Sequence, residues 1–180
     1  TNTGEVDEEG NKIYDHSAQK LFAERFKKYL KISKQCEVGK VCYPGASYGL
    51  DGTLHSEANQ PFTGTGDNPA EGKFFLQDGT FVSLGWFEKN KGALYVILPQ
   101  GKDSVLGKNR FYFEVNSKGL LPRGMKDSAF TFETFCNPEN TENTSGQGCA
   151  AWVIYNKNMD YLHCFNELDW NGAHSCKEAK

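Results

Sequence analysis

Lys73-Phe74-Phe75-Leu76-Gln77-Asp78-Gly79-Thr80-Phe81-Val82-Ser83-Leu84-Gly85-Trp86-Phe87 is the stretch that decides the fold. Phe74–Leu76 and Thr80–Phe87 are apolar and β-branched runs. Asp78-Gly79 between them is a hairpin signal, because glycine takes the positive φ that a tight turn requires. The pattern predicts two antiparallel strands. Towards the C-terminus, Ala93–Leu98 is a further such run, bounded by Gly92 and Pro99. Arg110–Val115 alternates, with Phe111, Phe113 and Val115 on one face and Arg110, Tyr112 and Glu114 on the other. Asn116–Gly119 turns the chain into Leu120-Leu121-Pro122. Ala150–Tyr155 reads as another buried strand, turned by Asn156-Lys157-Asn158.

Upstream the period changes. Ala18, Phe22, Phe26 and Tyr29 with Leu30 recur every three to four residues, and Leu21 widens the stripe, which predicts a helix over 16–33. Asp15 or Ser17 can cap its start, and Lys31 and Lys34 suit its C-terminal carbonyls. Residues 1–14 read as a loop or frayed end, with a turn at Gly10-Asn11. Residues 36–72 hold Pro44, Pro61, Pro69 and many glycines without lasting periodicity, a long irregular region. One N-terminal helix followed by an antiparallel β-sheet of four to five strands predicts an α+β fold with disulfide-stapled loops. At 180 residues, a single domain over 1–180 is expected.

Charge narrows the function. The net charge of −3 argues against a dedicated nucleic-acid binder. The distribution is uneven. Glu5, Asp7, Glu8, Glu9 and Asp15 against Lys12 leave residues 1–15 strongly acidic. Lys20, Arg25, Lys27, Lys28, Lys31, Lys34 and Lys40 against Glu24 and Glu37 leave 16–40 basic. A basic helix of this kind can meet nucleic acid or anionic lipid, and a solvated helix face is the plainer reading. The longest apolar run, Cys149–Tyr155, is far short of the about 20 residues of a membrane helix. Thr1 is not an initiator methionine, so a segment upstream is expected.

The six cysteines are Cys36, Cys42, Cys136, Cys149, Cys164 and Cys176, and no C-x-x-C occurs. Three disulfides in an oxidising compartment are expected. Fifteen connectivities are open; Cys36–Cys42, Cys136–Cys149 and Cys164–Cys176 are favoured because each staples a short loop. A zinc site from His163, Cys164, His174 and Cys176 is the weaker alternative.

Gly45-Ala46-Ser47-Tyr48-Gly49 matches G-x-S-x-G, the nucleophile elbow, but Pro44 before it and Leu50-Asp51-Gly52 after it fit neither the strand nor the helix that motif needs. A flexible turn is expected instead. His16, His55, His163 and His174 are scattered and read as structural or solvated. Gly64-Thr65-Gly66 lacks the Lys-Ser/Thr of a phosphate loop. Asn143-Thr144-Ser145 is a formal glycosylation sequon. The polar loop 100–109 has Asp103 among Lys102, Lys108 and Arg110, so no calcium site is expected. Trp86, Trp152 and Trp170 can form a sugar-stacking platform; Trp152 reads as core, leaving Trp170 and Trp86 as surface contacts. No catalytic residue, metal or cofactor is expected.

Several stretches together resemble a known group. Phe26-x-x-Tyr29-Leu30-Lys31-Ile32 with Cys36 and Cys42 resembles the segment after the first helix of bacterial prepilin-like proteins. Leu94–Val96 with Leu106-Gly107-Lys108-Asn109-x-Phe111-x-Phe113 resembles their paired sheet strands. Cys149-Ala150-Ala151-Trp152-Val153-Ile154, then Asn158-Met159-Asp160-Tyr161-Leu162-x-Cys164 and Leu168-x-Trp170-Asn171-Gly172 through Cys176, is similar to their C-terminal signature. The resemblance covers roughly residues 20–176 with gaps. It implies the head of a type IV pilin or type II secretion pseudopilin, a non-enzymatic filament subunit at the cell surface or in the periplasm. It also implies a cleaved leader and an apolar N-terminal helix. The implied partners are other pilin or pseudopilin subunits and inner-membrane assembly machinery, with no nucleic acid and no small-molecule substrate. Asn109 stands where relatives carry Asp, and Ile97-Leu98-Pro99 replaces an acidic stretch, which weakens any calcium expectation further. The alternatives are a secreted carbohydrate-binding or adhesive module using Trp170 or Trp86, and a small hydrolase using Ser47.

Overall fold

A computed structural model describes residues 2–6, 12–14, 21, 24–37, 42–55, 72–88, 91–141 and 144–177, with the backbone course alone at 2–6, 12–14, 85–88 and 91. The strands are β1 (Asn2–Val6), β2 (Lys12–Tyr14), β3 (Ile32–Gln35), β4 (Ser47–Tyr48), β5 (Lys73–Leu76), β6 (Phe81–Glu88), β7 (Lys91–Ile97), β8 (Ser104–Val105), β9 (Arg110–Asn116) and β10 (Gly119–Pro122). Short helices follow at α1 (Phe132–Phe135), α2 (Ala150–Asn156) and α3 (Tyr161–Cys164), the last continued by a 3-10 turn at Phe165–Glu167. The chain is α+β. Its main sheet is antiparallel and has six strands in the order β10-β9-β7-β6-β5-β3.

The β5–β6 hairpin forms where the turn signal put it. Leu76 N–H donates to Thr80 O (2.8 Å) and Gly79 N–H to Leu76 O (3.1 Å). The Asp78 carboxylate accepts from Thr80 N–H (2.9 Å), and Gly79 sits at φ +84°, where a side chain would be strained. The strands at Lys91–Ile97, Arg110–Asn116 and Gly119–Pro122 also match their apolar runs.

Four expectations change. Residues 150–156 are the helix α2, not a strand. Its burial follows a helix: Ala150, Ala151 and Trp152 are buried while Ile154 and Tyr155 are exposed. A seven-residue apolar run carries no period that separates a buried strand from a buried helix. The expected helix over 16–33 is helical, among the described residues, only at Leu21 and 24–27; residues 15–20, 22 and 23 lie outside them. It stops early because Ile32–Gln35 pairs with β5, Ile32 opposite Leu76 and Gln35 opposite Phe74, so sheet hydrogen bonds replace helical ones. That strand makes the sheet one larger than expected. The segment expected as a frayed end contains the antiparallel pair β1–β2, whose short charged strands carry little apolar alternation. The expected flexible turn at 45–49 contains β4, paired in parallel with β8, Ser47 opposite Ser104.

The chain divides into two compact units. The first comprises Thr1–Pro44, Gln60–Pro99 and Glu114–Leu120. Its core joins Cys36, Cys42, Tyr43, Phe81 and Ile97, with Phe75 packed against them; the Tyr43 and Phe81 rings are 5.5 Å apart. Lys73 is fully buried there. The second comprises Gly45–Asn59, Gln100–Phe113 and Leu121–Lys180. Its core is an aromatic cluster: Phe132 stacks on Trp152 at 4.2 Å, with Tyr161, Phe165 and Trp170 at 6.2, 5.4 and 6.0 Å from Phe132.

Candidate functional site

Two constellations of the second unit hold the chemistry-bearing side chains. The first is the C-terminal cap. Cys136–Cys149 ties the end of α1 to the start of α2, and Cys164–Cys176 ties α3 to the C-terminal turn; Cys36–Cys42 closes its loop in the first unit. These are the three short-loop pairings. With Cys164 and Cys176 bonded to each other, neither offers zinc a thiolate, and no metal-ligand cluster exists among the described residues. Around the last disulfide the polar groups close on one another. Trp152 Nε1–H donates to Asn158 Oδ1 (3.0 Å), Asn158 Nδ2–H to His174 O (2.9 Å), and Cys176 N–H to Asp160 Oδ2 (2.9 Å). Lys157 ends α2 in the left-handed region at φ 60°, a helix-stop geometry.

Trp170, expected as a surface contact, is half-buried. Its Nε1–H donates to Gly124 O (3.1 Å) and its ring lies 5.0 Å from Trp152 and 6.2 Å from the exposed Tyr155. Trp86 lies in β6, and its side chain is outside the described ones. Asn143 of the sequon also lies outside the described residues, and Ser145 is buried, its hydroxyl donating to Asn137 O (3.1 Å).

The second constellation surrounds Arg110, the first residue of β9, which is fully buried. Residues 47–55 fold back on themselves: Gly49 N–H donates to Thr53 O (2.9 Å) and His55 N–H to Ser47 O (2.8 Å). Asp51 braces the bend by accepting from Thr53 N–H (3.1 Å) and Thr53 Oγ1–H (2.6 Å). This places Ser47 and His55 side by side. The Arg110 guanidinium donates to Ser47 Oγ, to Tyr48 O (3.4 Å) and towards His55 Nδ1 (3.3 Å). Burial first, and then the Arg110 charge, hold the His55 imidazole below its ordinary pKa, with Asp51 opposing. A guanidinium can only donate, so Nδ1 meets it as an acceptor.

The chemistry of this cluster is holding, not attack. A serine nucleophile needs a base at its hydroxyl, and here the partner of Ser47 Oγ is a guanidinium, which cannot take a proton. His55 faces the same guanidinium. Sequence reasoning listed Ser47 and His55 separately and missed Arg110; the one sequence signal was a charge on the alternate face of a strand otherwise rich in aromatics.

Next to it, Asn109 knots the 100–109 loop. Its Oδ1 accepts from Val105 N–H (2.6 Å) and its Nδ2–H₂ donates to Gln100 O (2.8 Å) and Asp103 O (2.9 Å). Asp103 Oδ1 accepts from Ala46 N–H (2.9 Å). No protein-family model, curated protein or solved structure matches the chain.

Proposed function

We propose that the chain is the head of a prepilin-class filament subunit, a structural or adhesive part with no catalytic role. The observation that carries this reading is the cap over 149–176. The residues of the C-terminal signature are the ones that build it: Trp152, Tyr161 and Leu168 are buried, Asn158 and Asp160 close its turns, and Cys164 and Cys176 staple it. The members of this motif hold one another and commit their polar atoms inward, which in this reading leaves the surrounding loops as the surface free to vary. The three disulfides place the chain in an oxidising, extracytoplasmic compartment. No helix among the described residues is long and apolar enough to cross a membrane.

The partners in this reading are neighbouring subunits and the inner-membrane assembly machinery. The test is to express the natural full-length protein, map its mature N-terminus by mass spectrometry and label cell-surface filaments with antibody to the head. A methylated N-terminus next to a long apolar segment, with labelled filaments, is the expected result. Release of an unmethylated protein by a conventional secretory peptidase would overturn it.

A further inference from the structure

His55 ends a hairpin, residues 45–55, that is attached differently from the rest of the second unit. None of its apolar side chains is buried: Tyr48 and Leu50 are half-buried and Leu54 is exposed. Polar contacts hold it instead. Ala46 N–H donates to Asp103 Oδ1 (2.9 Å), Ser104 N–H to Ala46 O (2.8 Å), Leu106 N–H to Tyr48 O (3.0 Å) and Leu50 N–H to Ser145 O (3.1 Å). The side chains it does bury, Ser47 and His55, are polar, and both meet the Arg110 guanidinium. Local opening favours segments with few buried apolar contacts, and this hairpin is one of them.

Of the groups in this joint, the imidazole is the one that titrates near neutrality. Protonation puts a hydrogen on Nδ1, the atom that faces Arg110 Nη2 at 3.3 Å, so both sides become donors and both carry positive charge. Asp51 opposes from within the hairpin: a Cβ on Gly49 would touch both Asp51 Oδ1 and His55 Nε2. Arg110 from β9 and Asp51 are the charged groups that act on the imidazole among the described residues, and burial together with the arginine outweighs the aspartate. We propose that the 45–55 hairpin is an acid-released arm: protonation of His55 parts it from Arg110 and β8 while the main sheet stays folded. Release lets water solvate the imidazolium, and it uncovers the edge of β8, whose partner in its two-stranded sheet is β4. The inference is independent of the filament reading.

The test is hydrogen exchange of the 180-residue chain, read by mass spectrometry at about pH 7.5 and about pH 5.5 and corrected for the intrinsic pH dependence of exchange. Peptides carrying the Leu50, His55, Ser104 and Leu106 amides are expected to lose protection in acid, while peptides over 81–84 and 92–97 keep theirs. The opening equilibrium should grow by up to about tenfold per pH unit from about 6.5 down to the folded pKa of His55, and level off below it. His55→Gln, which keeps a hydrogen-bonding side chain but does not titrate, should make the arm's protection independent of pH. In the wild type, the His55 ring resonance followed by NMR should titrate below 6.5, a reading that needs no variant to fold. Protection unchanged in acid, lost equally across the main sheet, or lost to the same extent in His55→Gln would overturn the proposal. So would a His55 ring that titrates at or above its ordinary value.

Discussion

His55 and Arg110 share one buried space, and protonating the histidine would put two cations there. The folded state holds the His55 pKa below its ordinary 6.5, so in acid the unfolded chain takes up a proton before the folded one does. Stability from this site is therefore full above about pH 6.5 and falls as pH drops towards the folded pKa. Urea unfolding at about pH 7.5 and about pH 5.5 is expected to show that loss, and His55→Gln to lack it. An identical pH dependence in the variant would locate the loss elsewhere. Lys73 works in the other direction of the scale. Burial lowers its pKa from the ordinary 10.5 to about 8, so between those values the folded state sheds a proton that the unfolded chain keeps, and stability rises with pH. Lys73→Met should flatten that rise. Asn109 is the neutral counterpart: three hydrogen bonds from one buried carboxamide. Asn109→Ala strands the three backbone groups and is expected to cost about 2–4 kcal/mol in denaturant titration. Asn109→Asp should be no milder, because it replaces the Nδ2 donor by an oxygen facing Gln100 O and Asp103 O.

At the scale of elements, the chain resolves two ambiguities by what surrounds each segment. The run Cys149–Tyr155 becomes the helix α2 because the Cys136–Cys149 bridge anchors its start beside α1, and because Lys157 in the left-handed region gives it a stop. A seven-residue apolar run fits a buried helix or a buried strand alike, so composition is silent and anchoring decides. Two substitutions test the assignment. Lys157→Gly removes the strain of a side chain at positive φ and should raise stability by up to about 1 kcal/mol. Trp152→Ala removes the centre of the aromatic cluster and should cost about 3–5 kcal/mol. A near-neutral Trp152→Ala would mean that the ring is not enclosed. The second ambiguity is 28–35. Its lysines and Ile32 fit a helix end as well as a strand, and pairing with β5 takes Ile32–Gln35 into the sheet. Tyr29, which the helical stripe would have buried, is left exposed for that reason.

At the scale of the whole molecule, the disulfides act as staples on short loops. Closing the Cys136–Cys149 loop, with a sequence separation of 13, removes unfolded-state freedom worth about 3 kcal/mol. Paired replacement of both cysteines by alanine is expected to lower stability by about that amount, read as a shift of the denaturation midpoint. A shift several-fold smaller would show that the aromatic cluster alone holds α1 to α2.

The sequence by itself determined the α+β class, the β5–β6 hairpin and the strands read at 93–98 and 110–115, observed at Lys91–Ile97 and Arg110–Asn116, and it favoured the cysteine pairing. These are local properties: a glycine turn, an alternating pattern, a loop length. Only the tertiary structure decided that 150–156 is a helix, that 32–35 leaves the helix for a sheet edge, that Trp170 turns its indole N–H inward to Gly124, and that Ser47, His55 and Arg110 meet. Those outcomes depend on partners dozens of residues away, Arg110 being 63 positions from Ser47. A single-sequence period records which way a side chain points along its own element, and carries nothing about what stands opposite it.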